Sequence, residues 1–331
     1  MPDGVRMLDG SLTLALAVLV VGLVVLAVGS DQLVDGAARI SDRLGVPPLV
    51  VGIVVIGAGT SAPELLIAVL SAVAGVYDLG VGNVVGSNLA NVLLVLGVAA
   101  LAHPVHVPRT TARREGPLSL LAVVAFAWAV QTPLRRGDAL LLGGLLVVVL
   151  TLILTRGEEE VGTPTIDDEG DPADDSRDVS DRSVRREWWR VGLGLAATLA
   201  GAQAVVAGGA ATADAAGLSD GFVGLTVVAV GTSLPELAAA VQAVRRGQTE
   251  LLVGNVLGSN LFNALAVGPF AVWTGASLGA AVAPEVAGEA TFLMLAAAIA
   301  VGLLLVRERI GRMAGAALVL GYVGAVALMA T

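Results

Sequence analysis

Residues 51–95 recur at 223–267 without a gap, at a constant offset of 172, and 24 of the 45 pairs are identical. Two blocks dominate. The first sets Gly59-Thr60-Ser61-Ala62-Pro63-Glu64 against Gly231-Thr232-Ser233-Leu234-Pro235-Glu236. The second sets Gly82-Asn83-Val84-Val85-Gly86-Ser87-Asn88-Leu89-Ala90-Asn91 against Gly254-Asn255-Val256-Leu257-Gly258-Ser259-Asn260-Leu261-Phe262-Asn263. The same offset pairs Asp42 with Asp214 and Gly45 with Gly217, so the duplication is wider than the blocks. Such a chain is expected to fold as two like units.

The segments around the blocks decide the solvent. A bilayer-crossing helix needs about 20 mostly apolar residues. Ten segments approach that: 11–30, 48–74, 79–102, 117–134, 138–155, 189–212, 221–244, 250–274, 287–306 and 312–330. Over the chain 56% of residues are apolar and 14% charged, against about 45–50% and about 25% in soluble domains. That balance excludes a disordered chain, a soluble enzyme and a nucleic-acid binder. With no cysteine, disulfides and thiolate sites are excluded as well. The opening MPDGVRMLDG leads into the first apolar run without a small-residue cleavage pattern, so that run reads as a retained span.

All 19 basic residues are arginine. Ten spans place five connections on one side of the membrane, and these hold 16 of the arginines; the other side has Arg6, Arg135 and Arg136. Cytoplasmic loops collect arginine, so an integral cell-membrane protein with both termini outside is expected. Residues 156–187 hold twelve acids and five arginines, which is −7 of the chain's −9. They cannot bury enough apolar surface to fold alone. The expected organisation is a first five-helix unit, 1–155, an acidic cytoplasmic linker, 156–188, and a second five-helix unit, 189–331. With an odd number of spans in each, the second unit enters the membrane from the opposite face. Transporters commonly use that plan, with the substrate site near the midplane.

Glu64 and Glu236 lie inside apolar runs, where a carboxylate costs at least a few kcal/mol unless it faces water or a cation. Each follows a proline, which suits the start of a new helical piece and denies a hydrogen bond to carbonyls one turn earlier, near Thr60 and Thr232. Backbone oxygens freed in hydrocarbon need partners. In the second block Ser87 and Asn91 are four apart and share a helix face, as do Ser259 and Asn263. The lining would be all oxygen, which suits hard cations such as Ca²⁺ with about six to eight oxygens, or Na⁺ with fewer; zinc, copper and iron fit poorly. Two ionised glutamates with no basic residue in either block leave a formal −2, balanced by one divalent ion, two monovalent ions or two protons.

At residues 57–91 and 229–263 the sequence resembles the sodium/calcium exchanger branch of the cation/Ca²⁺ exchanger superfamily, which carries GTSxPE and GNxxGSNxxN blocks in two repeats. The resemblance implies an all-α polytopic membrane protein. Its ten transmembrane helices would form two inverted five-helix repeats, with helices 2, 3, 7 and 8 broken or kinked around a central ion site. It implies that Glu64 and Glu236 are shared calcium and sodium ligands, and that Thr60, Ser61, Ser87, Thr232, Ser233 and Ser259 add hydroxyl or carbonyl oxygens. Gly57 and Ala229 fall where relatives offer backbone carbonyls, and Asn91 and Asn263 at the central amide or acid positions. Asparagine at 263 looks like the potassium-independent pattern. The absence of an acid from the GN-containing blocks is similar to sodium-coupled rather than proton-coupled members.

The expected function is secondary-active exchange of Na⁺ for Ca²⁺ by alternating access. The expected partners are Ca²⁺, Na⁺, in the proton-coupled alternative H⁺, and the lipid bilayer, with no cofactor, nucleic acid or obligate protein partner. The alternatives are Ca²⁺/H⁺ exchange through the same glutamates and, from another class, a passive cation channel. No nucleophile–base pair or cofactor motif suggests an enzyme. Other polar residues have plainer readings. His103 and His106 read as interfacial loop residues, and Trp188, Trp189 and Trp273 as interface anchors. Asp31 and Asp35 are expected to face headgroup water. Gly82, Gly86, Gly254, Gly258 and the Gly311–Gly315 step suit close helix packing.

Overall fold

The computed structural model describes residues 12–131, 133–160, 175–215, 229–277, 279 and 284–329. In chain order the elements are α1 (Leu12–Leu44), α2 (Pro48–Thr60), α3 (Ala62–Ala74), α4 (Tyr77–Ala102), β1 (Val105–His106), α5 (Arg109–Arg113), α6 (Glu115–Gln131) and α7 (Arg136–Glu160). They continue with α8 (Asp175–Ala215), α9 (Ala229–Gly231), α10 (Leu234–Arg245), α11 (Thr249–Ser277), α12 (Pro284–Arg307), β2 (Arg309–Ile310) and α13 (Arg312–Met329). The described protein is therefore almost wholly helical. Among the described residues five helices are long and apolar enough to cross a bilayer: α1, α4, α7, α11 and the Ser183–Ala215 part of α8. The α2–α3 pair, bent by 43°, meets the same criteria only when its two pieces are taken together. Residues 221–228 of the seventh apolar run, 161–174 of the acidic stretch, Gly217 and Arg6 lie outside the described residues.

Burial separates a core from a periphery. The apolar windows of α4 and α11 are 78% and 89% buried, against 22% for α1 and α7. The two helices that carry the second block thus form the centre, and α1, α7 and α8 present apolar side chains outward.

Helix α1 packs along α8 through six glycines. Gly22 abuts Ala204 and Val205, Gly29 abuts Ala197 and Thr198, and Gly36 abuts Val191, so the helices run antiparallel. Reciprocally, Gly194 meets Leu33, Gly201 meets Leu26, and Gly208 meets Leu19. The glycines are spaced by seven, two helical turns, on each helix, and each pair is related by the same offset of 172. Without a Cβ the backbones touch: a methyl on Gly201 would lie 2.4 Å from the Leu26 nitrogen. Helices α2 and α11 make a second close contact, running parallel. Gly52 lies on Leu251 and Gly254, and Gly57 on Gly258 and Ser259. Gly254 and Gly258 thus pack as expected. Gly82 and Gly86 meet no described atom within 4 Å, and of the Gly311–Gly315 step it is Gly315 that packs, on the Gly97 carbonyl.

Helix α8 begins at Asp175, so the ordered helix extends well into the acidic stretch. Its Glu187 is buried and pairs with Arg43 and Arg190. Asp31 and Asp35 do more than face headgroup water. Asp35 accepts from Arg190 at 2.7 Å, Arg246 at 2.8 Å and Arg39 at 3.0 Å, and Asp31 accepts from Arg246 at 2.7 Å. One ionic cluster therefore ties together the second half of α1, the first half of α8 and the residue after α10. Asp35→Asn is expected to cost about 1 kcal/mol, because Arg190 and Arg246 remain about a third exposed. Arg39→Gln, at a half-exposed neighbour pair, is expected to leave the melting temperature in detergent unchanged. An equal loss in both variants would contradict a cluster centred on Asp35.

His106 lies exposed in a two-stranded ribbon in which Val105 pairs with Ile310 and His106 with Arg309. Trp188 and Trp189 are exposed, and Arg136 stacks 5.4 Å from the Trp273 ring.

Candidate functional site

Both repeats break their helix at the same point. Ser61 (φ −77°, ψ 7°) separates α2 from α3, and Ser233 (φ −90°, ψ 5°) precedes α10. Pro63 and Pro235 then occupy the first turn of the new helix, where a missing N–H costs nothing. Glu64 and Glu236 follow in that same turn. A serine at a helix start usually caps it with its side chain. Neither serine does so here, and both hydroxyl oxygens are buried without a partner among the described residues.

The second block brings a different distortion. Asn91 lies in a π-helical stretch, Ala90–Val95, and Asn263 opens another, Asn263–Val267; a third, Gly52–Gly57, ends at Gly57. Such wide turns are rare and concentrate at functional sites. They displace backbone carbonyls and rotate the following side chains relative to an ideal helix.

These breaks gather the polar groups. Glu64 is fully buried, and its Oε1 accepts a hydrogen bond from Ser87 Oγ at 3.1 Å. Its Oε2, and both carboxylate oxygens of buried Glu236, have no hydrogen-bond donor among the described residues. The amides of Asn91 and Asn263 are likewise buried and unpartnered. Buried polar atoms are nearly always satisfied, so these orphans make the residues of the two blocks the candidate binding site. Five of these seven atoms are acceptor oxygens and two are amide nitrogens.

Contacts cross between the repeats. Thr60 Oγ1 lies 3.4 Å from Ser259 Oγ and 3.4 Å from Asn255 Oδ1, while it donates to the Ile56 carbonyl at 3.0 Å. Ser259 Oγ lies 3.4 Å from the Gly57 carbonyl. Asn255 Nδ2 donates to the Glu236 carbonyl at 3.2 Å, and its repeat mate Asn83 reaches the Glu64 carbonyl at 3.5 Å. Gly57, Thr60, Ser259, Asn255 and Glu236 are thus one connected network drawn from both halves. Thr232 is half-buried behind Gly231, and Ala229 opens the short α9 turn ahead of it. Among the described residues no three of His, Cys, Asp and Glu come together, so any cation there would rest on two acids plus neutral oxygens.

Asn83 and Asn255 were legible only as part of the repeated block, yet they hold the carbonyls of the two glutamates in place. Asn88 and Asn260 are a further missed pair: both are buried, and both side-chain polar atoms of Asn88 and the Oδ1 of Asn260 have no partner among the described residues. Their recurrence at offset 172 was the available signal.

Residues 14–155 and 187–331 match the family model described as sodium/calcium exchanger protein. The chain belongs to the sodium/calcium exchanger protein family. The inner membrane protein YrbG of Escherichia coli K12 is 38% identical to this family member over 257 residues, covering 77% of this chain and 78% of its own. The sodium/calcium exchanger MaX1 of Methanosarcina acetivorans is 30% identical over 282 residues, covering 76% and 81%. Among solved structures, the sodium-calcium exchanger NCX_Mj, soaked with 10 mM Na⁺ and zero Ca²⁺, superposes with a TM-score of 0.80 at 29% identity. That match covers 96% of this chain and 99% of the other, so this member has the membrane fold of that exchanger.

Proposed function

We propose that the protein is a secondary-active antiporter that exchanges Na⁺ for Ca²⁺ across the cell membrane by alternating access. The single observation that carries this reading is the set of orphaned carboxylate oxygens on Glu64 and Glu236, buried among hydroxyl and amide oxygens inside apolar helices. Hydrocarbon offers such oxygens no donor, and a hard cation satisfies several at once. The exchanger relatives and the NCX_Mj likeness support the same assignment. In this reading Glu64 and Glu236 are the shared ligands. Thr60, Ser61, Ser87, Thr232, Ser233 and Ser259 add hydroxyl or carbonyl oxygens, Asn91 and Asn263 add amide oxygens, and Gly57 and Ala229 add carbonyls.

Charge supplies the coupling. Two carboxylates facing an ion pathway without a neutralising cation are costly to carry through a low-dielectric barrier, so the loaded site interconverts and the bare one does not. One Ca²⁺ or several Na⁺ relieve the same charge, which makes the two ions competitors for one pocket and ties their fluxes together.

The architecture proposed with it is ten spans in two inverted five-helix units, 1–155 and 189–331, with both termini outside and 156–188 cytoplasmic. The antiparallel, offset-related packing of α1 on α8 supports the inversion. So do the contacts between arginine-rich connections assigned to one side, Arg246 with Asp31 and Arg109 with Glu308, and the contact between Arg136 and Trp273 on the other.

In proteoliposomes, ⁴⁵Ca²⁺ uptake is expected to require an outwardly directed sodium gradient and to ignore a pH gradient. Uptake that follows pH and ignores sodium would move the coupling to protons. Flux with no counter-ion on either side would make the protein a channel.

A further inference from the structure

A cationic hollow of about 850 Å³, lined by none of the proposed ion ligands, sits at the turn between α12 and α13. Arg307, Arg309 and Arg312 line it together with Pro104 and Met313. All three arginines are exposed, and none has an acidic partner among the described residues. The acid nearest in sequence, Glu308, is already neutralised, because it pairs with Arg109.

The backbone builds this arrangement at some cost. Glu308 has φ 50°, the left-handed conformation that bulky residues rarely adopt. Its carbonyl is held by the Val107 N–H at 2.9 Å, and β2 then pairs with β1. The strained turn ends α12, sends Glu308 to Arg109 and leaves the neighbouring arginines unopposed. Strain of this kind persists where surrounding structure enforces it, frequently at functional sites.

Chemistry selects the ligand. Three guanidinium groups favour a phosphate, with which arginine forms paired hydrogen bonds. Met313, 90% exposed, stands beside them on the first turn of an apolar helix whose Leu320 and Val323 also point outward. A hollow with cations above and an outward apolar helix face below matches a phosphate headgroup with its acyl chain. Arginine-rich rims on the cytoplasmic side face the leaflet that concentrates anionic lipid. We propose that Arg307, Arg309 and Arg312 form a binding site for the headgroup of an anionic phospholipid of the inner leaflet.

The test is native mass spectrometry of the full chain in detergent, titrated with phosphatidylglycerol or phosphatidylcholine. The wild type is expected to retain phosphatidylglycerol preferentially. The triple variant R307Q/R309Q/R312Q is expected to lose that preference, by about fivefold per arginine and on the order of a hundredfold in all. A charge-matched control, R113Q/R185Q/R245Q, changes three other exposed arginines and is expected to keep it. Equal retention of both lipids by the wild type would overturn the proposal, as would an equal loss in the control, which would reduce the effect to general charge. Displacement of phosphatidylglycerol by millimolar inorganic phosphate would also overturn it, since the hollow would then take a soluble anion.

Discussion

Glu64→Gln and Glu236→Gln are each expected to abolish sodium-dependent calcium uptake, with a loss of roughly 100-fold or more. Glutamine keeps the volume but replaces one anionic oxygen with an NH₂ that repels a cation. Loss of a charged ligand costs a bound divalent ion several kcal/mol, and each 1.4 kcal/mol is tenfold. Folding should survive. Both carboxylates are buried, and three of their four oxygens lack a donor among the described residues, so removing a charge relieves a desolvation cost in the ion-free protein. Thermal unfolding in detergent separates the two effects. Calcium should raise the melting temperature of the wild type, because a ligand that binds only the folded state stabilises it. It should leave both variants unmoved. Near-normal uptake in both would remove the glutamates from the site. The milder Ser87→Ala deletes one hydrogen bond to Glu64 Oε1, and should weaken calcium uptake without abolishing it.

Gly201→Val is expected to prevent recovery of monodisperse protein, and Gly201→Ala to lower its melting temperature sharply. A single methyl at this position would lie 2.4 Å from the Leu26 nitrogen and 2.7 Å from its Cα. The obstructing atoms are backbone, so no rotamer change relieves the clash and α1 and α8 must separate. Overpacking of side chains alone costs about 1–3 kcal/mol, and separating two helices forfeits the whole seam. Gly29→Ala, facing the Thr198 nitrogen at 2.6 Å, should behave alike. Gly143→Ala on α7 is the control: nothing described lies within 4 Å of its added methyl, and exchanging a mid-helix glycine for alanine gains up to about 1 kcal/mol. Equal melting temperatures for Gly201→Ala and Gly143→Ala would show that the two helices do not touch through their glycines.

Much of this was legible in the residues themselves. Glu64 and Glu236 stood out because charge is rare in apolar runs, and Pro63 and Pro235 marked where the helices break. The duplication at offset 172 tied those features together, and it also extends to Gly22, Gly29 and Gly36 against Gly194, Gly201 and Gly208. That extension was visible as a seven-residue spacing on both helices, but glycine is so frequent here, with 42 in the chain, that only the contacts single these six out. Other features were beyond pattern. Arg190 and Arg246 reach Asp35 across 155 and 211 residues, and nothing local in a sequence announces such a pairing. The buried Glu187 is paired with Arg43, brought to it from α1. The π-helical stretches at Asn91 and Asn263 lie on the two most buried helices, and no residue pattern in the sequence marks where they begin.

Metal ions held between two carboxylates from opposite halves are the centre of the proposed exchange. Soaking crystals with Sr²⁺, a heavier analogue of Ca²⁺, and recording its anomalous scattering locates such an ion directly. The predicted result is one strong peak within coordination distance, about 2.3–2.6 Å for the calcium it replaces, of carboxylate oxygens from both Glu64 and Glu236. A peak held by only one of them, or by neither, would contradict it.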